Sequence, residues 1–186
     1  MELITPSLDN LHLYLAALRR EKEMGAKAFH NTEDILAKAE ANPHDLVASF
    51  DDRVGGRIFT DNDGTQRQAL PAFTRWLFRE GDLEVAGTIQ MRWKEGTTQL
   101  PPYCLGHIGY QIFPWHRGHG LATEQLAKML EIVKAEIDLP YVDITTNVEN
   151  IPSQKVIIKN GGKKIKEFKV IREGIEKRAI LWRVFF

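Results

Sequence analysis

The feature that most constrains the fold is a strand–helix–strand unit in the second half of the chain. Leu105–Phe113 reads as a buried strand, and Pro114 ends it because proline cannot continue a hydrogen-bonded ladder. Leu121–Ile137 then places apolar residues along one helical stripe, and Tyr141–Thr146 predicts the next strand. Strands joined by a crossover helix run parallel, so this unit predicts a sheet covered by helices.

Hairpin signals flank this unit on both sides. Phe73–Arg79 and Glu84–Trp93 are rich in aromatic and β-branched residues around a short turn, which predicts an antiparallel pair. A short helix is predicted at Ser153–Asn160, followed by strands near Lys163–Ile171 and Arg178–Phe185. The 186 residues are therefore predicted to form a single α/β domain, with a mixed, mostly antiparallel sheet and helices on both faces.

The first fifty residues predict two helices. The first follows Asp9 and fades near Gly25, and a cap-like Asn31–Asp34 opens the second. Asn42-Pro43 is expected to end the second helix, and Leu46–Phe50 is predicted to be a strand or a loop.

Composition narrows the classes of function. Lysine plus arginine total 25, and so do aspartate plus glutamate, which gives no electrostatic case for nucleic-acid binding or a polybasic membrane anchor. The single cysteine, Cys104, rules out an internal disulfide and CxxC metal or redox motifs. Met1–Leu8 lacks the apolar run of a secretory signal, so a reducing, cytoplasmic setting is predicted.

A glycine-rich turn, Arg117-Gly118-His119-Gly120-Leu121-Ala122, joins the predicted strand to the predicted helix. Glycines allow positive φ and close approach of the backbone to a ligand. The first turn of a helix adds unpaired N–H donors and the positive end of the dipole. The combination predicts a cradle for a phosphate or pyrophosphate, with a plain glycine connection as the alternative. The residue order matches neither a P-loop nor the dinucleotide GxGxxG motif.

Two sequence blocks resemble the GNAT acetyltransferase superfamily. The first is the run Gly106–Ala122, which is similar to the acetyl-coenzyme A (acetyl-CoA) motif. The core of that motif, Gln/Arg-x-x-Gly-x-Gly/Ala, is matched by Arg117, Gly120 and Ala122. The second block, Asn147–Gly162, resembles the pattern Asn-x-x-Ala/Ser-x-x-Val/Leu-x-x-Lys-x-Gly. The blocks fall within residues 105–137 and 141–162, and they resemble a bacterial branch of predicted acetyltransferases.

The resemblance implies that acetyl-CoA enters a wedge between the two central strands and donates its acetyl group directly to an amine, without a metal. Backbone N–H groups from Gly118 to Ala122 would hold the pyrophosphate, and the strand ending at Phe113 would pair with the pantetheine arm. An N–H near Ile112 would polarise the thioester carbonyl, and Asn150 would reach the pantetheine amide. The implied cofactor-binding residues are Ile112, Phe113, Arg117, Gly118, His119, Gly120, Leu121, Ala122, Asn150 and Ser153.

The catalytic residues implied by the resemblance depart from the family pattern. Many members carry a tyrosine in the short helix that protonates the leaving thiolate, but Ile157 occupies that position. Ser153, one turn earlier, offers the nearest hydroxyl, with a role at the helix N-terminus or solvent as the acid as alternatives. His107 is the predicted general base, with a packing role as the alternative. Tyr110 and Glu84 are further candidates.

The predicted function is therefore an acetyl-CoA-dependent N-acetyltransferase acting on a small-molecule or peptide amine. The alternative is a module of the same fold that binds coenzyme A (CoA) or an acyl form of it without turnover, which the isoleucine at position 157 favours. Lysines between Lys155 and Lys169 form a basic cluster that either meets the cofactor or protects a sheet edge. An open sheet edge at the C-terminal strands favours a homodimer.

Overall fold

The computed structural model describes residues 1–25, 32–60, 64–79, 81–172 and 175–186. In chain order the elements are β1 Glu2–Ile4, α1 Leu8–Glu23, α2 Thr32–Ala41, α3 Pro43–Ala48, β2 Asp51–Asp52, β3 Ile58–Thr60, β4 Gln66–Gln68, β5 Ala72–Phe78, β6 Gly87–Arg92, β7 Ile108–Ile112, α4 Leu121–Glu136, β8 Tyr141–Asn147, α5 Ile151–Lys159, β9 Lys163–Arg172 and β10 Ile175–Phe185. A single 3₁₀ turn, Pro114–His116, follows β7. None of the described helices has the length and apolar character needed to cross a membrane.

The strands form two main antiparallel sheets and one short hairpin. The first sheet has the order β1-β5-β6-β7, with β2 paired to β5. The second has the order β8-β10-β9, and β3 pairs with β4 in the hairpin. The predicted α/β fold, with mostly antiparallel strands and helices on both faces, is confirmed.

Helices cover both faces of the first sheet, and two apolar clusters hold them there. On the face here called the front, Tyr14 and Leu18 of α1 pack with Trp76 and Phe113. On the opposite face, here called the back, α4 and α5 pack against both sheets through a larger cluster. Its fully buried members include Ile89, Met91, Leu126, Met129, Val133, Val142 and Ile157. Burial of each such side chain contributes about 1.5–3 kcal/mol, so α4 is firmly placed behind β7 and β8.

Strands β7 and β8 touch at one end only. His107 N–H donates to the carbonyl of Asp143 at 2.7 Å, and Asp143 N–H donates to His107 Nδ1 at 2.9 Å. Beyond this point no ladder joins β7 to β8 within the described residues, so two sheets replace the single continuous sheet that the crossover unit predicted. The physical reason is local, because the His107 N–H faces β8 while the His107 carbonyl turns to β6 and accepts the Arg92 N–H at 2.9 Å. The result is a wedge that opens toward the C-terminal ends of both strands.

Several helix boundaries differ from the prediction. Helix α1 begins at Leu8, before Asp9, and the N–H of Ser7 at its N-terminus donates to Asn10 Oδ1 at 2.8 Å. Helix α5 begins at Ile151 rather than Ser153, because Asn150 caps it by accepting the Ser153 N–H at 3.2 Å.

The segment predicted as a strand or loop at Leu46–Phe50 is largely helical. Asn42 caps α3 by accepting the Asp45 N–H at 3.2 Å, and Pro43 occupies the first helical position. Asn42-Pro43 therefore ends α2 and begins α3, since proline is well suited to a first helical turn. The predicted cap residue Asn31 lies outside the described residues.

Candidate functional site

The glycine turn enters α4 with the backbone that its sequence predicted. Gly118 has φ +85° and Gly120 has φ +77°, both in the left-handed region that other residues rarely adopt. A Cβ at either position would meet nothing within 4 Å, so the space beside both glycines is open. The carbonyl of Gly120, the N-cap, accepts the N–H of Thr123 at 2.9 Å. The turn is therefore shaped by backbone conformation and leaves room for a ligand.

The N–H groups of this turn form a set of free donors. From Gly118 to Ala122, none of the five N–H groups has a hydrogen-bond partner in the part of the chain that the structure describes. They lie at the positive end of the dipole of the 16-residue helix α4, and Gly118, His119 and Gly120 are exposed. Such a cluster suits an anion with several oxygen acceptors, as a pyrophosphate has.

Arg117 attaches the turn to the end of β7. Its Nε donates to the carbonyl of Ile112 at 2.9 Å, while its N–H donates to Pro114 at 3.3 Å. Trp115 stacks on Phe113 with the ring centroids 5.3 Å apart, which holds the intervening 3₁₀ turn against the sheet. The side-chain contact of Arg117 fixes the cradle relative to the strand edge, a role that the motif alone did not predict.

Alternation along β7 decides which backbone groups face the wedge. The N–H of Phe113 donates to Ala86 at 3.0 Å, and the carbonyl of His107 accepts from Arg92 at 2.9 Å. In an antiparallel ladder the intervening residues point their N–H and carbonyl groups the other way. Ile108, Tyr110 and Ile112 therefore direct their backbone groups into the wedge.

Phe113 was predicted to bind the cofactor, but its backbone N–H and carbonyl are both hydrogen-bonded to other residues of the protein. Its N–H is used by Ala86, its carbonyl accepts the His116 N–H at 2.9 Å, and its ring is fully buried on the front face. The backbone donor at the mouth of the wedge is thus the N–H of Ile112.

The facing edge of β8 is organised in the same way. The Val148 N–H donates to the carbonyl of Arg178 at 3.0 Å, so the backbone groups of Val148 and of every second residue before it face β10. By alternation, Thr145 and Asn147 direct their backbone groups toward the wedge. The carbonyl of Asn147 already accepts the N–H of Asn150 at 3.0 Å, so the turn that caps α5 closes this edge at the C-terminal end of β8.

Two catalytic candidates from the sequence, Tyr110 and Ser153, meet across the wedge. The Tyr110 hydroxyl lies 2.8 Å from Ser153 Oγ, and either atom can be the donor. Burial raises the pKa of Tyr110 to about 12, although the hydrogen bond from Ser153 opposes the shift. The phenol is therefore protonated at neutral pH. It lies on the back face, beside α5, and also donates to the Ser153 carbonyl at 3.3 Å.

Position 157, at which many family members carry a tyrosine, holds an isoleucine that packs in the core. Ile157 is fully buried, and a Cβ on Gly162 would come within 2.3 Å of Ile157 Cγ2. Position 157 therefore contributes to the core and offers no hydroxyl. Ser153, one turn earlier in α5, contacts the Tyr110 hydroxyl instead.

His107 was predicted as the general base, and its surroundings do not support that role. The ring is 1% exposed, and Nδ1 accepts the Asp143 N–H, so the proton of the neutral ring lies on Nε2. Nε2 is buried without a partner among the described residues. Burial lowers the pKa of His107, with the Asp143 carboxylate opposing the shift. The lone pair that a base needs is thus occupied in joining β7 to β8.

We expect His107→Ala to lower the free energy of unfolding by about 1–3 kcal/mol, since the Asp143 N–H loses its acceptor. His107→Asn keeps an acceptor and should retain most of that stability. Because burial lowers the pKa of His107 in the folded state, the unfolded state takes up its proton at a higher pH. The free energy of unfolding should therefore fall as the pH drops below about 6.5. The free energy of unfolding, measured by chemical denaturation between pH 5 and 8, should depend less on pH in His107→Asn than in the wild-type protein. A loss of turnover of 10²–10⁴-fold, typical of a missing base, would restore the catalytic role.

The remaining candidate, Glu84, pairs with Arg20 at 2.6 Å and lies 3.5 Å from His116 Nε2. These contacts connect α1 to the 3₁₀ turn before the cradle. Within the described ranges, no group of three or more His, Cys, Asp or Glu side chains is placed to hold a metal ion.

Comparisons with solved structures find the same fold in bacterial acetyltransferases. Mycobacterium smegmatis RimJ in complex with CoA-disulfide has a TM-score of 0.66 at 14% identity, covering 98% of this chain and 80% of that chain. The ribosomal-protein-S5-alanine acetyltransferase from Vibrio fischeri has a TM-score of 0.61 at 17% identity, with coverages of 99% and 91%. The microcin C7 self-immunity acetyltransferase MccE, in complex with acetyl-CoA and AMP, has a TM-score of 0.61 at 13% identity, with the same coverages.

A search of curated proteins finds no significant match. The family model described as an acetyltransferase (GNAT) domain matches residues 12–163, which include the glycine cradle, the wedge and the first part of the second sheet. The chain therefore belongs to the GNAT acetyltransferase family.

Proposed function

We propose that this protein transfers the acetyl group of acetyl-CoA to an amino group of a small molecule or peptide. The observation that carries the proposal is the presence of free backbone donors at two neighbouring places, the Gly118–Ala122 cradle and the wedge-facing edge of β7. An anion with a long amide-bearing arm can use both sets at once, the phosphates at the helix and the arm as an added strand. The GNAT fold of MccE, which holds acetyl-CoA, supports this cofactor.

The reaction proposed here is a direct displacement. The amine nitrogen attacks the thioester carbonyl carbon from the front face, the C–S bond breaks, and the thiolate leaves toward the back face. The N–H of Ile112 donates to the carbonyl oxygen as negative charge develops on it. The amine proton passes to water at the front, and the thiolate finally takes a proton from solvent.

Tyr110 is proposed to stabilise the leaving thiolate as a hydrogen-bond donor. With a pKa of about 12, full proton transfer from the phenol to a thiolate whose conjugate acid has a pKa of about 8.5 is uphill by about 5 kcal/mol. A hydrogen bond from the phenol avoids that cost and still lowers the energy of the developing negative charge. Ser153 is then a positioning residue that orients the phenol through the 2.8 Å contact.

The test is release of free CoA thiol from acetyl-CoA in the presence of a panel of amines and short peptides, with the acetylated product identified by mass. We expect thiol release that depends on the amine and matches the product in amount. Tight cofactor binding without product from any amine would instead support a module that holds acyl-CoA without turnover.

A further inference from the structure

A cavity of about 380 Å³ lies on the front face, beside the closed end of the wedge. The loop at residues 98–105 forms one wall, and the exposed face of the second sheet forms the other. Asp143, which joins β8 to His107, belongs to both the cavity and the wedge. The volume lies within the usual range for a small-ligand site.

Two cationic side chains, Lys166 and Arg183, and one carboxylate, Asp143, are among the described residues that line this cavity. Arg183 binds Asp143 through Nε at 2.7 Å and Nη2 at 2.9 Å, so the one carboxylate among the described residues that line the cavity is neutralised. The Tyr141 hydroxyl donates its hydrogen bond to Thr98 Oγ1 at 2.9 Å. Lys166 has no ion pair within the described residues, and Arg183 keeps further N–H groups. The uncompensated charge is therefore positive, which favours an anionic ligand.

Two polar side chains on the strands that border the wedge each have a buried atom without a hydrogen-bond partner among the described residues. Gln111 on β7 is 8% exposed and its Nε2 has no partner in the described part of the chain, and the same holds for Asn147 Oδ1 on β8. Gln111 alternates with Ile112, which faces the back, and Asn147 alternates with Val148 and Thr146, so both side chains lie toward the front. Gln111 thus offers a donor on β7 and Asn147 an acceptor on β8, both on the front side of the strands that border the wedge.

From this arrangement we infer that the acceptor is an extended peptide whose N-terminal amine lies between Gln111 and Asn147 and whose acidic group lies at Lys166 and Arg183. This inference rests on the proposed acetyl transfer. Asn147 and Asp143 are four residues apart on β8, a span of about 13 Å at about 3.3 Å per residue. An extended peptide covers that span with about four residues. The acidic group therefore belongs to about the fourth residue from the amine.

The test compares three C-terminally amidated pentapeptides, Ala-Gly-Gly-Glu-Gly, Ala-Gly-Gly-Gln-Gly and Ala-Gly-Gly-Lys-Gly. We expect kcat/KM for the glutamate peptide to exceed that for the glutamine peptide by about tenfold or more, mostly through KM, as for a charge-assisted hydrogen bond. Lys166→Met should remove this preference. Lys169→Met is the matched control, because Lys169 lies on the opposite face of β9 and pairs with Glu176 at 2.9 Å.

Equal kcat/KM for the three peptides, or turnover of small amines but of no peptide, would overturn the inference while leaving the acetyl transfer intact. A glutamate preference that persists in Lys166→Met would place the acidic group elsewhere. If no amine of any kind is acetylated, the proposed function itself fails.

Discussion

We expect Gly120→Glu to abolish the stabilisation of the fold by acetyl-CoA. At about 100 times its dissociation constant, the cofactor should stabilise the wild-type protein by about 2.7 kcal/mol, measured as a shift in the unfolding midpoint. In the variant, the carboxylate enters the open space beside Gly120 and repels the pyrophosphate from the free N–H groups. The left-handed backbone, φ +77°, adds an intrinsic cost of about 1–2 kcal/mol to the variant.

The control for this variant is Gly64→Glu. Gly64 also has a positive φ, +80°, with nothing within 4 Å of a Cβ, and it lies in an exposed position before β4. The two variants should lose similar intrinsic stability, but only Gly120→Glu should lose the response to the cofactor. An unchanged cofactor-induced shift in a folded Gly120→Glu protein would show that the phosphates bind elsewhere.

We expect Tyr110→Phe to lower kcat by about 10²–10³-fold, the size seen when one donor to a developing charge is removed. The ring keeps its packing on the back face, so the unfolding midpoint and the KM for acetyl-CoA should change little. Ser153→Ala should lower kcat by only about tenfold, because it removes one hydrogen bond that orients the phenol. The measurement is steady-state turnover with a confirmed amine acceptor.

The double variant separates the two roles. If Ser153 acts through Tyr110, then Tyr110→Phe with Ser153→Ala should be no slower than Tyr110→Phe alone. A larger loss in Ser153→Ala than in Tyr110→Phe would make the serine the donor. Turnover within threefold of wild type in both single variants would leave the backbone donor and solvent to carry the reaction.

Sequence patterns predicted the site best where one backbone requirement dominates. Gly118 and Gly120 stand out because positive φ is costly for other residues, and Pro114 because it ends a strand. Long amphipathic stripes likewise predicted α4 to within one residue at its C-terminal end. These signals are local, so they can be read without knowing the tertiary packing.

The interactions that the sequence did not predict are long-range. His107 and Asp143 are 36 residues apart, and only their meeting shows that the imidazole accepts a backbone N–H instead of a substrate proton. Tyr110 and Ser153 are 43 residues apart, and alternation along β7 alone could not show that they share a hydrogen bond. The prediction of a strand or loop at Leu46–Phe50 was wrong for a different reason, since Asn42-Pro43 both ends one helix, as predicted, and begins the next.

We propose that acetyl-CoA occupies the wedge with its pyrophosphate on the N-terminus of α4. A crystal structure of the protein with bound acetyl-CoA tests this most directly. We expect phosphate oxygens within hydrogen-bond distance of the Gly118–Ala122 N–H groups, and the thioester carbonyl near the N–H of Ile112. We also expect the sulfur beside the Tyr110 hydroxyl. A cofactor bound outside the wedge, or phosphates held away from this turn, would contradict this binding mode.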